Sequence, residues 1–480
     1  MSAPGHPCPR RRAVIVGGGI SGLAAAHRLL SGEPSAQPGW EVRVLEAAPR
    51  PGGLIRTERD DGMVLEGGPD SLVAQKPAGI ELCRELGLGE TLVEVAGGGG
   101  SLRILHDGKL HRLPDGFLMM APTRLGAVVR SELFSPLGKL RMALEPWIRR
   151  RRDEGDESLR SFVVRRLGKE VYNRAAEPII GGVYTADGDA MSLALTMPRF
   201  RELERRHGSV IRGLRAMRRK HGDGGPAFAA PRDGMSSLVE ALVRRLPAGS
   251  LRLRTPVARV RPRAGGWQVE CDGNEPLRAD AVLLACPAMA ASRLLHGVDS
   301  ELADEIAQLP YASCATVNLV YRRRAIGRPL QGSGFFAPRT ENVPILGCSY
   351  VSAKFPGRVP GDRILMRVFL GGALDPGVLE EDDGRLAARA NREIARILGL
   401  VESPVLTRVH RFPHAMPQYP VGHDIRIAAI RGHLQRHPGL FLAGSVMGAV
   451  GIPDCIASGH AAAAALERSL AGRSRLEVAI

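Results

Sequence analysis

Apolar residues change their period several times along the chain, and each change predicts an element. Ala13-Val14-Ile15-Val16 is an unbroken apolar run, the mark of a strand buried on both faces. Glycines 17, 18, 19 and 22 follow at once, and the apolar positions from Ile20 to Leu30 then predict a helix. The next strand, VRVLEA, closes on Glu46. Leu203, Val210, Leu214 and Met217 recur at helical spacing among Arg205, Arg206, Arg212, Arg215 and Arg219, which predicts one basic amphipathic helix. Strand patterns return at Leu251. LRLRTPVARV and GWQVECDG alternate like a hairpin, whereas ADAVLLACPA is continuous and suits a parallel sheet. Near the C-terminus, GLFLAGSVMGAVGIPDCIASGHAAAAAL repeats the order strand, glycine turn, helix. Strands of one parallel sheet so far apart in sequence predict a discontinuous domain.

The first of these units has the chemistry of a dinucleotide site. Gly17 permits a tight turn, Gly19 lets backbone approach a pyrophosphate, and Gly22 lets the helix pack close to the sheet. Gly18, Ile20 and Ser21 complete a helix N-terminus whose N–H groups attract phosphate. Glu46 can accept from both ribose hydroxyls and repels a 2′-phosphate, which disfavours NADP. Arg50 and the pair Gly52-Gly53 lie just beyond it, in AAPRPGGL. A second glycine pair there suits an extended cofactor approached from two sides, so FAD fits better than NAD. The predicted fold is α/β, α+β overall, with a Rossmann-like FAD-binding domain. That domain takes residues 1–95, 228–290 and 406–475, a helical arginine-rich insert takes 96–227, and a mixed-sheet substrate domain takes 291–405. Breaks at Gly97–Gly100, Asp153–Glu157 and His221–Pro226 punctuate the insert.

Composition narrows the partners. With 480 residues and 44% hydrophobic content the chain can bury two or three cores. A formal charge of +16 attracts anions, but only 4% of residues are aromatic and no nucleic-acid module accompanies the arginines, so nucleic acid is not expected. An anionic membrane surface, a polycarboxylate ligand and plain solvated arginine faces remain as readings of the charge. The basic helix is accordingly read as a surface helix facing its apolar stripe to the core, with peripheral membrane contact as the alternative. Seven cysteines, at 8, 83, 271, 286, 314, 348 and 455, show no CxxC spacing, which points to a reducing cytoplasm and no metal site. Arg10-Arg11-Arg12 precedes the glycine fingerprint rather than a cleavable signal, and the apolar stretch 440–466 is broken by Pro453, Asp454 and His460. No membrane span is expected. The sequence leaves the oligomeric state open.

Six motifs spread along the chain then carry a family resemblance: GGGISGL at 17–23, PRPGG at 49–53, LEGGPDSL at 65–72, TPV at 255–257, MPQYPVGH at 416–423 and VGIPDCI at 450–456. The chain resembles the flavin amine oxidase superfamily. Within it, it is similar to the oxygen-dependent protoporphyrinogen/coproporphyrinogen oxidases of haem biosynthesis. The resemblance implies FAD held by Gly17 to Gly22, Glu46, Ala47, Gly53, Leu54, the backbone of Gly68, Pro69, Asp70 and Ser71, by Val257, and by Val450, Gly451, Ile452 and Pro453. Val257 is expected on an edge of the cofactor sheet, and Asp454 as a helix cap. Ala443-Gly444-Ser445 contains no cysteine for a covalent link, so the FAD is non-covalent. Asp70 departs from relatives that have asparagine, altering a donor near the ring or capping a helix.

On the substrate side, oxidising a porphyrinogen removes hydride and protons and is driven by aromaticity, with the flavin as acceptor. The protein has mainly to hold the macrocycle with a bridging carbon about 3–3.5 Å from the flavin. Arg103 matches the family's propionate arginine, its alternative being a solvated strand charge. Gly182 matches a glycine that makes room for the macrocycle or ends a helix. Phe336 and Leu346 fall where relatives place apolar residues above the ring, and both suit plain core as well. His423 is read as a satisfied structural histidine. The stretches PDGFLMMAPTRL, LFSPLGKLRMALEP and MPQYPVGH look like the Gram-positive type, which implies coproporphyrinogen III as substrate, molecular oxygen as acceptor and hydrogen peroxide as product. Protoporphyrinogen IX is the alternative. A carotenoid desaturase, an amine oxidase and a non-catalytic flavin- or NAD-binding module are the others; six tyrosines and three tryptophans leave little for an aromatic cage.

Overall fold

The computed structural model describes residues 10–31, 39–95, 102–118, 120–153, 155–221, 226–327 and 329–477. Cys8, the Gly97–Gly100 break, Glu154 and residues 222–225 lie outside the described residues.

The strand Arg11–Val16 pairs in parallel with Trp40–Leu45 on one side and Ala281–Leu284 on the other, and Leu251–Arg252 and Leu440–Leu442 complete the sheet. Its members come from both ends and the middle of the chain. Helices Ile20–Leu30 and Ile452–Glu477 pack together beside it. Gly459 makes that possible, because a Cβ there would stand 2.3 Å from the Ser21 carbonyl oxygen. The hairpin Val257–Arg263 and Gly266–Cys271 forms as the alternation predicts, but in a separate three-stranded antiparallel sheet. Val257 is therefore not on the edge of the cofactor sheet; Leu251–Arg252 is.

A second, seven-stranded sheet runs in the order Leu406–Pro417, Tyr311–Arg322, Arg363–Gly371, Gly347–Ser349, Gly334–Phe336, Leu102–His106, Lys109–Arg112. One face packs Val317, Leu319, Met366 and Val368 on the helix Asp383–Leu398 through Leu386, Ala390 and Ile394. The other carries Thr316, Asn318 and Arg367 toward the loop that follows Met63–Glu66. This sheet claims 102–112 and 406–417, which differ from the expected boundaries because ladder pairing, not sequence proximity, decides membership. Helices Ala288–Leu295 and Ser300–Ala307 likewise pack on Trp267, Val282 and Leu284 of the dinucleotide side, past the expected boundary at 291.

The segment between the sheets is mainly helical. The expected single basic helix is two, Pro198–His207 and Val210–His221, divided at Gly208 with φ of 66°. Leu203, Val210 and Leu214 are buried with Phe162 and Phe200, so the apolar stripe faces the core. Many arginines here are consumed internally. Arg166 and Glu145 are paired and wholly buried, and Arg165 binds Glu204 at 2.6 Å and Glu157 at 2.6 Å. Breaking such a buried pair typically costs about 3–5 kcal/mol.

Candidate functional site

The two glycine runs meet. Gly19 and Gly52 form a parallel bridge, the Gly52 N–H donates to the Gly18 carbonyl at 2.8 Å, and Gly53 lies beside Gly19. Each glycine has its own reason. A Cβ on Gly22 would stand 2.0 Å from the Gly17 carbonyl oxygen, and Gly17, with φ of 110°, abuts Ala285. A Cβ on Gly19 or Gly451 would meet nothing within 4 Å. The cradle is thus tight behind and open in front.

Gly19 caps the helix Ile20–Leu30 with no side chain, leaving the N–H groups of Ile20, Ser21 and Gly22 for an anion. Glu46 accepts the Gly18 N–H at 2.7 Å and the Ala48 N–H at 2.8 Å, which fixes its carboxylate at the end of the second strand beside Ala47. Arg50 donates to the carbonyls of Gly53 at 2.7 Å and Ile55 at 2.9 Å, so it clamps the loop carrying Gly53 and Leu54. Thr255 donates its N–H to the Glu46 carbonyl, bringing the turn before Val257 to the same strand end. The far end is assembled from the C-terminal loop. Gly444 donates to Ser458 Oγ at 2.9 Å, and the Tyr419 hydroxyl donates to the Ser445 carbonyl at 2.9 Å and to the Ala449 carbonyl at 3.3 Å. Tyr419 therefore holds the loop leading to Val450–Pro453, a role its motif marked without assigning. Asp454 does not cap: it sits inside the helix that begins at Ile452 and pairs with Lys76 at 2.5 Å.

Between these ends runs Gly67 to Ser71. Gly68 is pressed on Leu54, where a Cβ would stand 1.9 Å from the carbonyl oxygen. Asp70 neither caps a helix nor stands alone: it binds Lys354 at 2.9 Å and Arg367 at 3.2 Å and accepts from Ser71 Oγ at 2.7 Å. Burial pushes its carboxyl up, but Lys354 and Arg367 outweigh burial and hold it below the ordinary carboxylate range. Neither cation belongs to any of the six motifs. Arg367 left a signal in the sequence, a lone charge in the apolar run ILMRVFLGG, since a charge in a buried strand requires a partner.

On the substrate side the residues divide. Gly182 lies against Phe336, where a Cβ would stand 2.6 Å from two ring carbons. Leu346 donates its N–H to the Phe369 carbonyl at 2.8 Å and accepts from Ala337 at 3.0 Å, one register position from Phe336. Arg103 is separated from them. It pairs with Phe335, and Ile104 pairs with Phe336, so strand alternation puts Arg103 on the opposite face. Its guanidinium there donates to Gln331 and to the Leu110 carbonyl at 2.9 Å. His423 is buried, yet neither ring nitrogen has a hydrogen-bond partner among the described residues, which corrects the satisfied reading. Burial, with Arg426 nearby, lowers it to about 4, so it is neutral. Glu177, in a π-helical turn over Tyr172–Gly181 just before Gly182, is 5% exposed with one carboxylate oxygen unpartnered, and burial pushes it up to about 7. Among the described residues, two groups bring histidine and carboxylates together, His106 with Asp107 and Glu341 and His433 with Asp299 and Glu301, neither of them at the cradle.

An extended cradle, glycine-lined, anion-seeking at one helix N-terminus and closed by a second helix, is the geometry of a protein that binds a dinucleotide cofactor. The chain belongs to the flavin containing amine oxidoreductase family, whose model matches residues 20–466. It is a flavin-dependent oxidoreductase, and its cofactor is FAD. Over 464 residues it is 32% identical to the coproporphyrinogen III oxidase of Bacillus subtilis (strain 168), covering 94% of this chain and 97% of that protein. It is 30% identical over 472 residues to protoporphyrinogen oxidase 1, chloroplastic, of Arabidopsis thaliana, covering 92% and 85%. A crystal structure from Exiguobacterium sp. 255-15, named for protoporphyrinogen oxidase, superposes with a TM-score of 0.84 at 32% identity, covering 95% and 98%.

Proposed function

We propose that the protein oxidises coproporphyrinogen III to coproporphyrin III, a six-electron aromatisation, with molecular oxygen as acceptor and hydrogen peroxide released. The observation that carries this reading is the full-length likeness to coproporphyrinogen III oxidase. The contact of Gly182 with Phe336 supports it, because the two pack on each other and both stay partly exposed, an apolar wall of the kind an apolar macrocycle requires.

Gly17 to Gly22, Glu46, Ala47, Arg50, Gly53, Leu54, Gly68 to Ser71 and Val450 to Pro453 hold FAD in this reading, with Val257 beside the Glu46 end. Bound there, FAD supplies the hydride acceptor. The chain's own residues do the rest. The N–H groups after Gly19 neutralise phosphate, Glu46 orients the ribose, and Phe336, Gly182 and Leu346 fix the macrocycle and exclude water. Arg103, turned to the other face, holds Gln331 and the strand end rather than a propionate. The domains follow the same reading: a dinucleotide unit from both chain ends, a helical insert, and a substrate unit built on the seven-stranded sheet.

No helix among the described residues is long and apolar enough to cross a membrane. A cytoplasmic enzyme touching an anionic membrane would use not the arginine-rich helices but the stretch with Val129, Leu137, Leu140, Leu144 and Trp147, which are 66%, 78%, 56%, 48% and 73% exposed. Exposed Arg130, Arg149, Arg150 and Arg152 border them. Co-sedimentation with phosphatidylglycerol but not phosphatidylcholine vesicles, lost in Leu137→Ser/Trp147→Ser, is expected; equal binding to both vesicles contradicts it. The catalytic reading is tested by incubating the FAD-loaded protein with coproporphyrinogen III in air: porphyrin fluorescence and peroxide are expected, and their absence overturns it.

A further inference from the structure

Behind the Gly68–Ser71 main chain lie two cations on one anion. Lys354 and Arg367 both bind Asp70, with side-chain exposures of 15%, 4% and 9%. The neighbouring Arg358 and Glu66 are 3.2 Å apart and balance each other. One positive charge is therefore left over in a site walled by Phe355, 5.2 Å from Lys354 Nζ, and Phe369, 4.8 Å from the Arg367 guanidinium. A buried charge without a counter-ion is costly, so the arrangement asks for an anion that is not part of the resting protein. Arg367 also keeps a buried Nε with no partner among the described residues, while its Nη1 donates to the Gly68 carbonyl at 2.7 Å.

We propose that Lys354 and Arg367 set the electron affinity of the flavin through this excess charge, with Asp70 as the counter-charge that limits it. The proposal rests on Gly68 to Ser71 being flavin-side backbone. Taking up a hydride adds two electrons and one proton to a flavin, leaving one net negative charge. A flavin held against Gly68 to Ser71 would carry that charge across the main chain from the cation pair, with no bond to either cation. A substrate carboxylate is the poorer match, because Arg367 is buried, Lys354 is largely covered, and their donors point to Asp70, Gly68 and Glu66. Lys354, Arg367 and Asp70 are positioning residues here, acting by field and not by contact.

Two substitutions shift the charge in opposite directions, which no loss of packing does. Lys354→Gln removes the excess positive charge, and Asp70→Asn adds to it. Sulfite, which adds to oxidised flavin to give an anion, and the two-electron midpoint potential of the FAD-loaded protein both read the effect with no porphyrinogen present. A wrong substrate assignment therefore leaves these results unchanged. Expected is about tenfold weaker sulfite binding and a potential about 30 mV lower in Lys354→Gln, with both shifts reversed in Asp70→Asn and cancelled in the double variant. Potentials and sulfite affinities that stay at the parent values, or that move the same way in both variants, overturn the proposal. If Asp70→Asn does not fold, Lys354→Gln alone decides by the sign and size of its shift.

Discussion

Gly182→Ala adds one methyl group against Phe336 and isolates the steric part of the substrate site. Gly182 has φ of −63° and ψ of −41°, so alanine fits the backbone and gains about 1 kcal/mol of helix propensity. The added Cβ would stand 2.6 Å from Phe336 Cδ1 and Cε1, where ordinary contact begins at 3.4 Å. The ring must therefore retreat by roughly 0.8 Å, at a typical overpacking cost of about 1–3 kcal/mol. The two terms nearly offset, and the melting temperature is expected to stay within a few degrees of the parent. Turnover is not protected in this way, because misplacing a substrate by about 1 Å can cost on the order of 100-fold. Steady-state kinetics with porphyrinogen should show kcat/KM falling by about 10- to 100-fold with the flavin spectrum intact. Gly182→Ala/Phe336→Leu, which clears the ring edge, should recover part of the loss. Unchanged kcat/KM in Gly182→Ala, or no recovery in the double variant, refutes the placement of the macrocycle against this wall.

Other outcomes follow from single contacts. Gly22→Ala drives a Cβ to 2.0 Å from the Gly17 carbonyl oxygen, and should yield protein that no longer retains FAD on gel filtration. Arg103→Ala removes donors to Gln331 and Leu110 on the face away from Phe336; KM for porphyrinogen should change less than about twofold, and a tenfold rise would return Arg103 to the site. Glu177 is raised to about 7, so between the ordinary carboxylate range and pH 7 the folded protein holds a proton that the unfolded chain releases. Stability then falls as pH rises through that window, by about 3 kcal/mol, and Glu177→Gln should flatten the denaturation midpoints measured at pH 5 and pH 8. His423 is lowered to about 4, so the unfolded chain binds the extra proton between its ordinary value and pH 4. Its contribution is lost as pH falls through that window, and His423→Phe should make the protein less acid-sensitive in the same assay.

What could be read from the sequence was local. The run Ala13–Val16, its glycines and Glu46 announce a dinucleotide cradle because turn, helix start and carboxylate lie within one βαβ unit. The continuous run Ala281–Leu284 places itself in the same sheet by its burial on both faces. The seven-stranded sheet was hidden because its pairing joins 102–112, 311–322 and 406–417, and single-chain patterning says nothing of such distant ladders. The face of Arg103 is illegible for a related reason: moving one residue along a strand exchanges its faces, and only the register with Phe335 decides which face Arg103 takes. The Lys354–Asp70–Arg367 cluster escaped because its members become neighbours only through tertiary folding, although Arg367 stood out as a charge in an apolar strand.

Two substrates compared on one preparation decide which porphyrinogen the protein oxidises. FAD-loaded protein is given coproporphyrinogen III or protoporphyrinogen IX in air, and porphyrin fluorescence is followed together with peroxide. Faster oxidation of coproporphyrinogen III is expected, with about three peroxides for each porphyrin formed. A strong preference for protoporphyrinogen IX contradicts the substrate assignment, and oxidation of neither rules out a porphyrinogen oxidase.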